Sequence, residues 1–287
     1  MSYRILTDSC CDLPQELYQK LNLSYVPLTL TYRGKAQEDF TSDRQKAQLY
    51  EGLRRGEVAT TAAVNPEGWM MAMVPLLEEG EDLLVLAFSS GLSTTFQSAE
   101  IAAKELAAEY PERTIRVVDT LCASLGQGLL VYYACQKQKE GLSLEENAAW
   151  CEDNKLHLCH WFTVEDLMYL KRGGRISAAT AILGTMLNIK PILHVDDLGH
   201  LVNVGKVRGR KASIRAMAEK PGELGIPGAN DVMFICHGDC LEDAKYLESL
   251  VKELYGVKTV LIGYTGAVIG SHSGPGTLAL FFLGTHR

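Results

Sequence analysis

The sequence has no uncharged apolar run of the roughly 18 residues that a membrane-spanning segment needs. It contains neither common glycine-rich nucleotide motif, GxxxxGKS/T or GxGxxG, and no cysteine pair at the C-x2-C spacing of common zinc sites. Positive charge is not in excess, since the formal net charge is -7. We therefore expect no stable membrane insertion, no nucleotide site of either common kind and no general nucleic-acid binding.

The chain does have the material for a large core. It has 287 residues, of which 47% are hydrophobic, and this is enough for about two domains or one large α/β unit. The opening MSYRILTDSC enters a strand-like pattern without the charged start and apolar stretch of a signal peptide. Eight cysteines in such a chain indicate reduced, mostly buried thiols, so we expect a cytoplasmic protein.

The order of predicted elements differs between the two halves of the chain. Strands and helices alternate in the first half, which predicts a parallel sheet flanked by helices. Ligands of such sheets bind beyond the carboxyl ends of the strands, so the loops around Asp8, Thr61, Ser90 and Asp119 are candidates. After a helix predicted over 176–188, the sequence at 196–199 predicts a hairpin turn, and the adjacent strands of this hairpin favour a mixed sheet with helices in the second half. We expect an α/β fold of two domains, 1–160 and 161–287.

The stretch LLVLAFSSGLSTTFQS, residues 83–98, reads as a buried strand, a hydroxyl-rich loop and a helix start. The first turn of a helix presents unpaired N–H groups that attract anions, and serine and threonine add O–H donors. Gly91 would let the backbone approach a ligand closely. The alternative is that Ser93 or Thr94 is only a helix N-cap, a common role for these residues.

Three further motifs allow more than one interpretation. GSHSG at 270–274 is not a nucleophile elbow, because its centre is His272 rather than serine; it suits an anionic head group or is an exposed turn. CHGDC at 236–240 and HLCH at 157–160 could supply zinc ligands, but a strand end followed by a helix cap explains CHGDC better, so we expect no metal. The basic cluster at 206–215 is a solvated face, a phosphate contact or a docking surface for an acidic partner.

As a whole, the pattern resembles the DegV family of fatty-acid-binding proteins. The matching segments run in family order along the chain: LTDS at 6–9, TT at 60–61, SSGLSTTFQS at 89–98, VDT at 118–120, LKRGGRI at 170–176, IKPIL at 189–193 and GSHSGPGT at 270–277. One segment departs from the family, since TAAVNP at 61–66 stands where TSQPSP is usual. The threonine is kept, but the polar residues that follow it become alanine and valine.

The resemblance implies a long-chain fatty acid such as palmitate, held between the two domains with its carboxylate at the loops and its tail in an apolar tunnel. By position, Thr61 and Ser93 would bind the carboxylate and His272 would lie close by. The arginine of the family's RGGR segment would be Arg172 or Arg175. The loops around the head group would also include Asp8, Ser9, Ser90, Gly91 and Gly274.

The function implied by the resemblance is that of a carrier rather than an enzyme. It would present the fatty acid to a separate ATP-dependent fatty acid kinase and hold the acyl-phosphate product, with no resident cofactor. Two alternatives remain: a hydrolase or transferase on a small carboxylated or phosphorylated substrate, with Ser90 or Ser93 as nucleophile and His272 as base, and a regulatory module that docks through the basic cluster at 206–215.

Overall fold

A computed structural model describes residues 2–177 and 188–287 of the chain. The helix predicted over 176–188 lies largely outside these residues and stays a prediction. The strands are β1 (Tyr3–Asp8), β2 (Ser24–Val26), β3 (Thr29–Tyr32), β4 (Lys35–Glu38), β5 (Ala59–Ala62), β6 (Asp82–Ala87), β7 (Ile115–Asp119), β8 (Leu158–Thr163), β9 (Ile189–Val195), β10 (Leu201–Arg208), β11 (Val232–His237), β12 (Thr259–Tyr264) and β13 (Leu278–Leu283).

The described helices are distributed along both halves of the chain. They are α1 (Gln15–Leu21), α2 (Asp43–Arg54), α3 (Pro66–Glu78), α4 (Thr95–Glu109), α5 (Leu125–Lys139), α6 (Leu144–Asn154), α7 (Met168–Arg172), α8 (Arg210–Leu224), α9 (Leu241–Tyr255) and α10 (Ala267–Ser273). Within the described ranges, no helix is long and apolar enough to cross a membrane.

The first half of the chain forms a parallel sheet in the order β2-β1-β6-β7, as its alternating pattern predicts. Every residue of β6 is buried, because the strand, apolar after Asp82, lies between neighbouring strands and under helices. A separate antiparallel sheet, β4-β3-β5, stands beside it. Strands β2 and β3 follow each other closely in the chain but belong to different sheets. Thr61, expected in a loop, lies in β5 because that segment pairs with β3.

The second half forms a six-stranded mixed sheet in the order β10-β9-β8-β13-β11-β12, which confirms the expected mixed sheet with helices. The turn at 196–199 joins β9 and β10 into a hairpin, as predicted, and Asp196 Oδ1 accepts the N–H groups of Leu198 and His200. The boundary at residue 160 stays a prediction; β8, which belongs to this second sheet, begins at Leu158.

Helix α5 lies between the two main sheets and packs against strands of both. One apolar cluster accordingly contains Leu84 of the parallel sheet, Leu129 of α5 and Phe281 of the mixed sheet. The buried guanidinium of Arg287 makes a further connection between distant segments. It donates to the Cys122 thiol and to the backbone carbonyls of Leu121, Lys155, Leu158 and Asp196.

Candidate functional site

A cavity of about 440 Å³ is lined by residues from both halves of the chain. Most of its wall is apolar, with Phe88, Leu92, Phe162, Val268 and Phe281 among the contributors. The strand–loop–helix stretch around Ser93 forms one part of the wall, and α10 with β13 forms another. An elongated apolar ligand with a small polar group suits such a surface better than a sugar or a nucleotide would.

Thr61 and His272 meet at this cavity. Strand β5 carries Thr61, α10 carries His272, and Thr61 Oγ1 lies 2.7 Å from His272 Nε2. Burial, together with the nearby positive charges of Arg175 and Arg172, lowers the pKa of His272 to about 4. The imidazole is therefore neutral at pH 7, when one ring nitrogen carries a proton and the other can accept one.

Ser93 lies in the loop before α4 and also lines the cavity. Its Oγ is 2.8 Å from Thr95 Oγ1 and accepts the backbone N–H of Thr95 at 3.2 Å. The capping alternative thus has support at Ser93, whereas Thr94 makes no side-chain cap bond. Because either hydroxyl of the Ser93–Thr95 pair can be the donor, the O–H of Ser93 is available to a ligand when Thr95 donates.

The structure separates the two candidate arginines. Arg175 lines the cavity and donates through Nη2 to the carbonyl of Leu92, 3.0 Å away, which places it next to Ser93. Arg172 instead stacks on the ring of Tyr169, with its guanidinium carbon 4.7 Å from the ring centroid. Of the two, Arg175 is the one on the cavity wall.

Asp8 and Ser9 hold backbone segments near the site through hydrogen bonds. Neither is among the described residues that line the cavity. The Asp8 carboxylate accepts the N–H groups of Cys10 and Phe88, so it holds the loop that follows β6. Burial raises the pKa of Asp8 to about 7. Ser9 Oγ accepts the N–H of Leu28. Both side chains act on the shape of the loops.

The other predicted loop residues, Ser90, Gly91 and Gly274, also differ in whether they line the cavity. Ser90 lines the cavity. A Cβ on Gly91 would lie 2.6 Å from the carbonyl oxygen of Leu198, so the close approach at Gly91 is to the β9–β10 turn and not to the cavity. Gly274 has φ +81 and packs against the ring of Tyr169, where a Cβ would lie 2.6 Å away.

The structure also brings polar residues to the cavity that the sequence reasoning missed. Ser124, Thr265 and Ser273 line it, and so do Cys236 and His160, which were considered only as zinc ligands. His160 bonds through Nδ1 to the Leu158 carbonyl, and burial lowers its pKa well below the usual value. Over the part of the chain that the structure describes, no group of three or more histidine, cysteine or acidic residues could hold a metal ion.

Comparison with known proteins gives one consistent result. The DegV family model, described as an uncharacterised protein family, matches residues 2–285. A DegV domain-containing protein of Clostridium perfringens is 44% identical over 281 residues, covering 98% of this chain and 97% of that protein. A DegV family protein from Thermus thermophilus, described by its fatty acid binding, has a TM-score of 0.88 and 34% identity, covering 99% of this chain and 100% of its own. A DegV lipid binding protein from Thermotoga maritima has a TM-score of 0.87 and 29% identity, with both chains covered completely.

Proposed function

The chain belongs to the DegV family, and from this premise we propose that it binds a long-chain fatty acid in the cavity between its two main sheets. The observation that carries the proposal is an apolar cavity with a compact polar group on its wall, formed by Thr61, Ser93, Arg175 and His272. The Thermus thermophilus relative, whose structure is described by its fatty acid binding, supports it. A volume of about 440 Å³ lies within the range of roughly 300–1,000 Å³ that small-molecule sites occupy.

The tail would supply most of the affinity. Burying about 14 methylene groups at roughly 0.8 kcal/mol each gives on the order of 10 kcal/mol before the costs of ordering the ligand. Each hydrogen bond to an ionised carboxylate adds about 1.5–3 kcal/mol at most. The apolar wall therefore sets how tightly the ligand binds, and the polar group sets which end of it lies at Thr61 and Ser93.

The polar group can bind a carboxylate without a formal charge on His272. If Nε2 of the neutral ring carries the proton, it donates to Thr61 Oγ1, and the threonine O–H is then directed to the ligand. Ser93 adds a second O–H when Thr95 donates to it. Arg175 contributes positive charge near Ser93 and His272.

We further propose that the protein is a carrier and not itself an enzyme. It would present the carboxylate to a separate ATP-dependent fatty acid kinase and hold the acyl-phosphate product. The lack of a common nucleotide motif in the sequence supports this division of labour. A serine-nucleophile mechanism has no comparable support, because within the described residues neither Ser90 nor Ser93 is hydrogen-bonded to His272.

Native mass spectrometry of the purified full chain tests the binding proposal. We expect a co-purified mass that matches a long-chain fatty acid, or uptake of oleic acid by the delipidated protein. A ligand of another class, or no uptake after incubation with oleic acid, would contradict it. The carrier proposal is tested by adding ATP and oleic acid to the protein alone, where we expect no ATP turnover until a fatty acid kinase is supplied.

A further inference from the structure

Ser273 is a buried hydroxyl without a partner on the cavity wall. It is 4% exposed, and its Oγ has no hydrogen-bond partner among the residues that the structure describes. Nearly all buried polar side-chain atoms in folded proteins have a partner, and an exception indicates a ligand or water that completes the site. Because Ser273 lines the cavity, a ligand there is a partner that its Oγ can reach by rotation about the Cα–Cβ bond.

The position of Ser273 relates it to the polar group described above. It follows His272 directly on α10, and His272 is bonded to Thr61. One face of α10 lines the cavity at Val268, Ile269, His272 and Ser273, the spacing of a single helix face. Ser273 is therefore at the same end of α10 as the Thr61–His272 pair.

The hydrogen-bond capacity of a carboxylate points to the same residue. An ionised carboxylate has two oxygens with about four acceptor positions and no donor of its own. Thr61 and Ser93 supply one O–H each. His272 Nε2 is engaged with Thr61, and all three guanidinium nitrogens of Arg175 contact the backbone carbonyls of Leu92 or Gly173. These contacts use three of the five N–H donors of Arg175. The two hydroxyls of Thr61 and Ser93 leave about two acceptor positions of a carboxylate open, and Ser273 has an O–H without a partner among the described residues.

We propose that Ser273 is a third hydroxyl donor to the head group of the bound acid. The inference rests on the proposed fatty acid binding and extends it by a residue outside the Thr61, Ser93 and His272 set. The serine would have no role in the apolar part of the ligand, so its contribution belongs to acids and is absent for an uncharged head group that needs fewer donors.

Ser271 offers a matched control in the same helix. It is also 4% exposed, but its Oγ donates to the Ala267 carbonyl at 2.7 Å, and it is not among the described residues on the cavity wall. The two serines should therefore respond in opposite ways. Ser273→Ala removes a hydroxyl that the empty protein does not use, whereas Ser271→Ala removes one that the fold uses and the ligand does not.

The experiment compares oleic acid with oleyl alcohol on the delipidated full chain, by displacement of a fluorescent fatty acid, and records melting temperatures without ligand. For Ser273→Ala we expect oleic acid to bind roughly 10-fold more weakly or worse, oleyl alcohol to change by less than about threefold, and the melting temperature to stay equal or rise. For Ser271→Ala we expect unchanged affinities and a lower melting temperature.

Three results have distinct meanings. Unchanged oleic acid affinity in Ser273→Ala would overturn the inference and leave the proposed function intact. An equal loss for acid and alcohol would also overturn it, because the serine would then act through packing. Failure of the unsubstituted protein to bind either ligand would overturn the proposed function itself.

Discussion

The hydrogen bond between Thr61 and His272 predicts that these two residues act on the ligand as one unit. We consider a double-mutant cycle built from Thr61→Val and His272→Ala. Valine has nearly the shape of threonine and lacks the hydroxyl, so the first variant removes the donor to the carboxylate. Alanine at 272 removes the ring that would direct that donor.

The expected magnitudes follow from this single contact. Loss of one hydrogen bond to an ionised carboxylate costs about 1.5–3 kcal/mol, which corresponds to roughly 10- to 150-fold weaker binding for Thr61→Val. His272→Ala should lose only part of this binding energy, because the Thr61 hydroxyl remains but is no longer oriented by the imidazole. Since the two residues share one contact 2.7 Å long, the double variant should bind about as weakly as Thr61→Val. The coupling energy should lie within about 0.5–3 kcal/mol.

Isothermal titration calorimetry with palmitic acid on the delipidated chain measures all four dissociation constants. Thr61→Ser keeps the hydroxyl and serves as the control, which should retain most of the native affinity. The pKa of His272 near 4 leaves the ring neutral across pH 6–8 in the empty protein, so the measurement is made at pH 7. Strict additivity of the two substitutions, or full affinity in Thr61→Val, would refute the idea that His272 acts through Thr61.

Three further predictions concern stability. Arg287→Met leaves four backbone carbonyls without their buried donor and should cost about 3 kcal/mol, seen as a melting temperature on the order of 5–10 °C lower; an unchanged melting temperature would contradict the structure there. Gly126→Ala would place a Cβ 2.1 Å from His160 Nε2 and should lower the free energy of unfolding, measured in urea, by about 1–3 kcal/mol. In the control Gly205→Ala the new Cβ meets nothing closer than 3.8 Å, so the loss should be much smaller. Burial raises the pKa of Asp39 to about 6, so the folded protein favours the protonated carboxyl group. The stability that this preference contributes is complete at low pH and is lost as the pH rises through 6. Because Asp39→Asn does not titrate, its unfolding free energy relative to the native chain should increase by about 3 kcal/mol between pH 3 and pH 8; a constant difference would contradict the raised pKa.

Local sequence patterns were sufficient for the parallel sheet, the mixed sheet and the turn at 196–199, but not for the antiparallel sheet β4-β3-β5. The apolar run of β6 is typical of a strand buried on both faces, and the alternation of strands with helices favours parallel neighbours. The turn at 196–199 was predictable because aspartate and glycine have conformational preferences that act within a few residues. Family motifs placed Thr61, Ser93 and His272 among the candidates.

Pairing and contact over long sequence distances required the structure. Thr61 and His272 are separated by 211 positions, and only the docking of α10 beside β5 brings them within hydrogen-bond distance. Arg172 and Arg175 have the same chemistry in the sequence, and their different neighbours decide which one lines the cavity.

The sequence by itself determined the α/β class, the two kinds of sheet and the residue types suited to a carboxylate, because these follow from local periodicity and side-chain chemistry. Tertiary structure decided that Thr61 lies in a strand, that Asp8 holds the loop after β6, and that the Ser273 hydroxyl has no partner within the described part of the chain. The physical reason is that burial and hydrogen-bond satisfaction depend on every element around a side chain, and most of those elements are distant in the sequence.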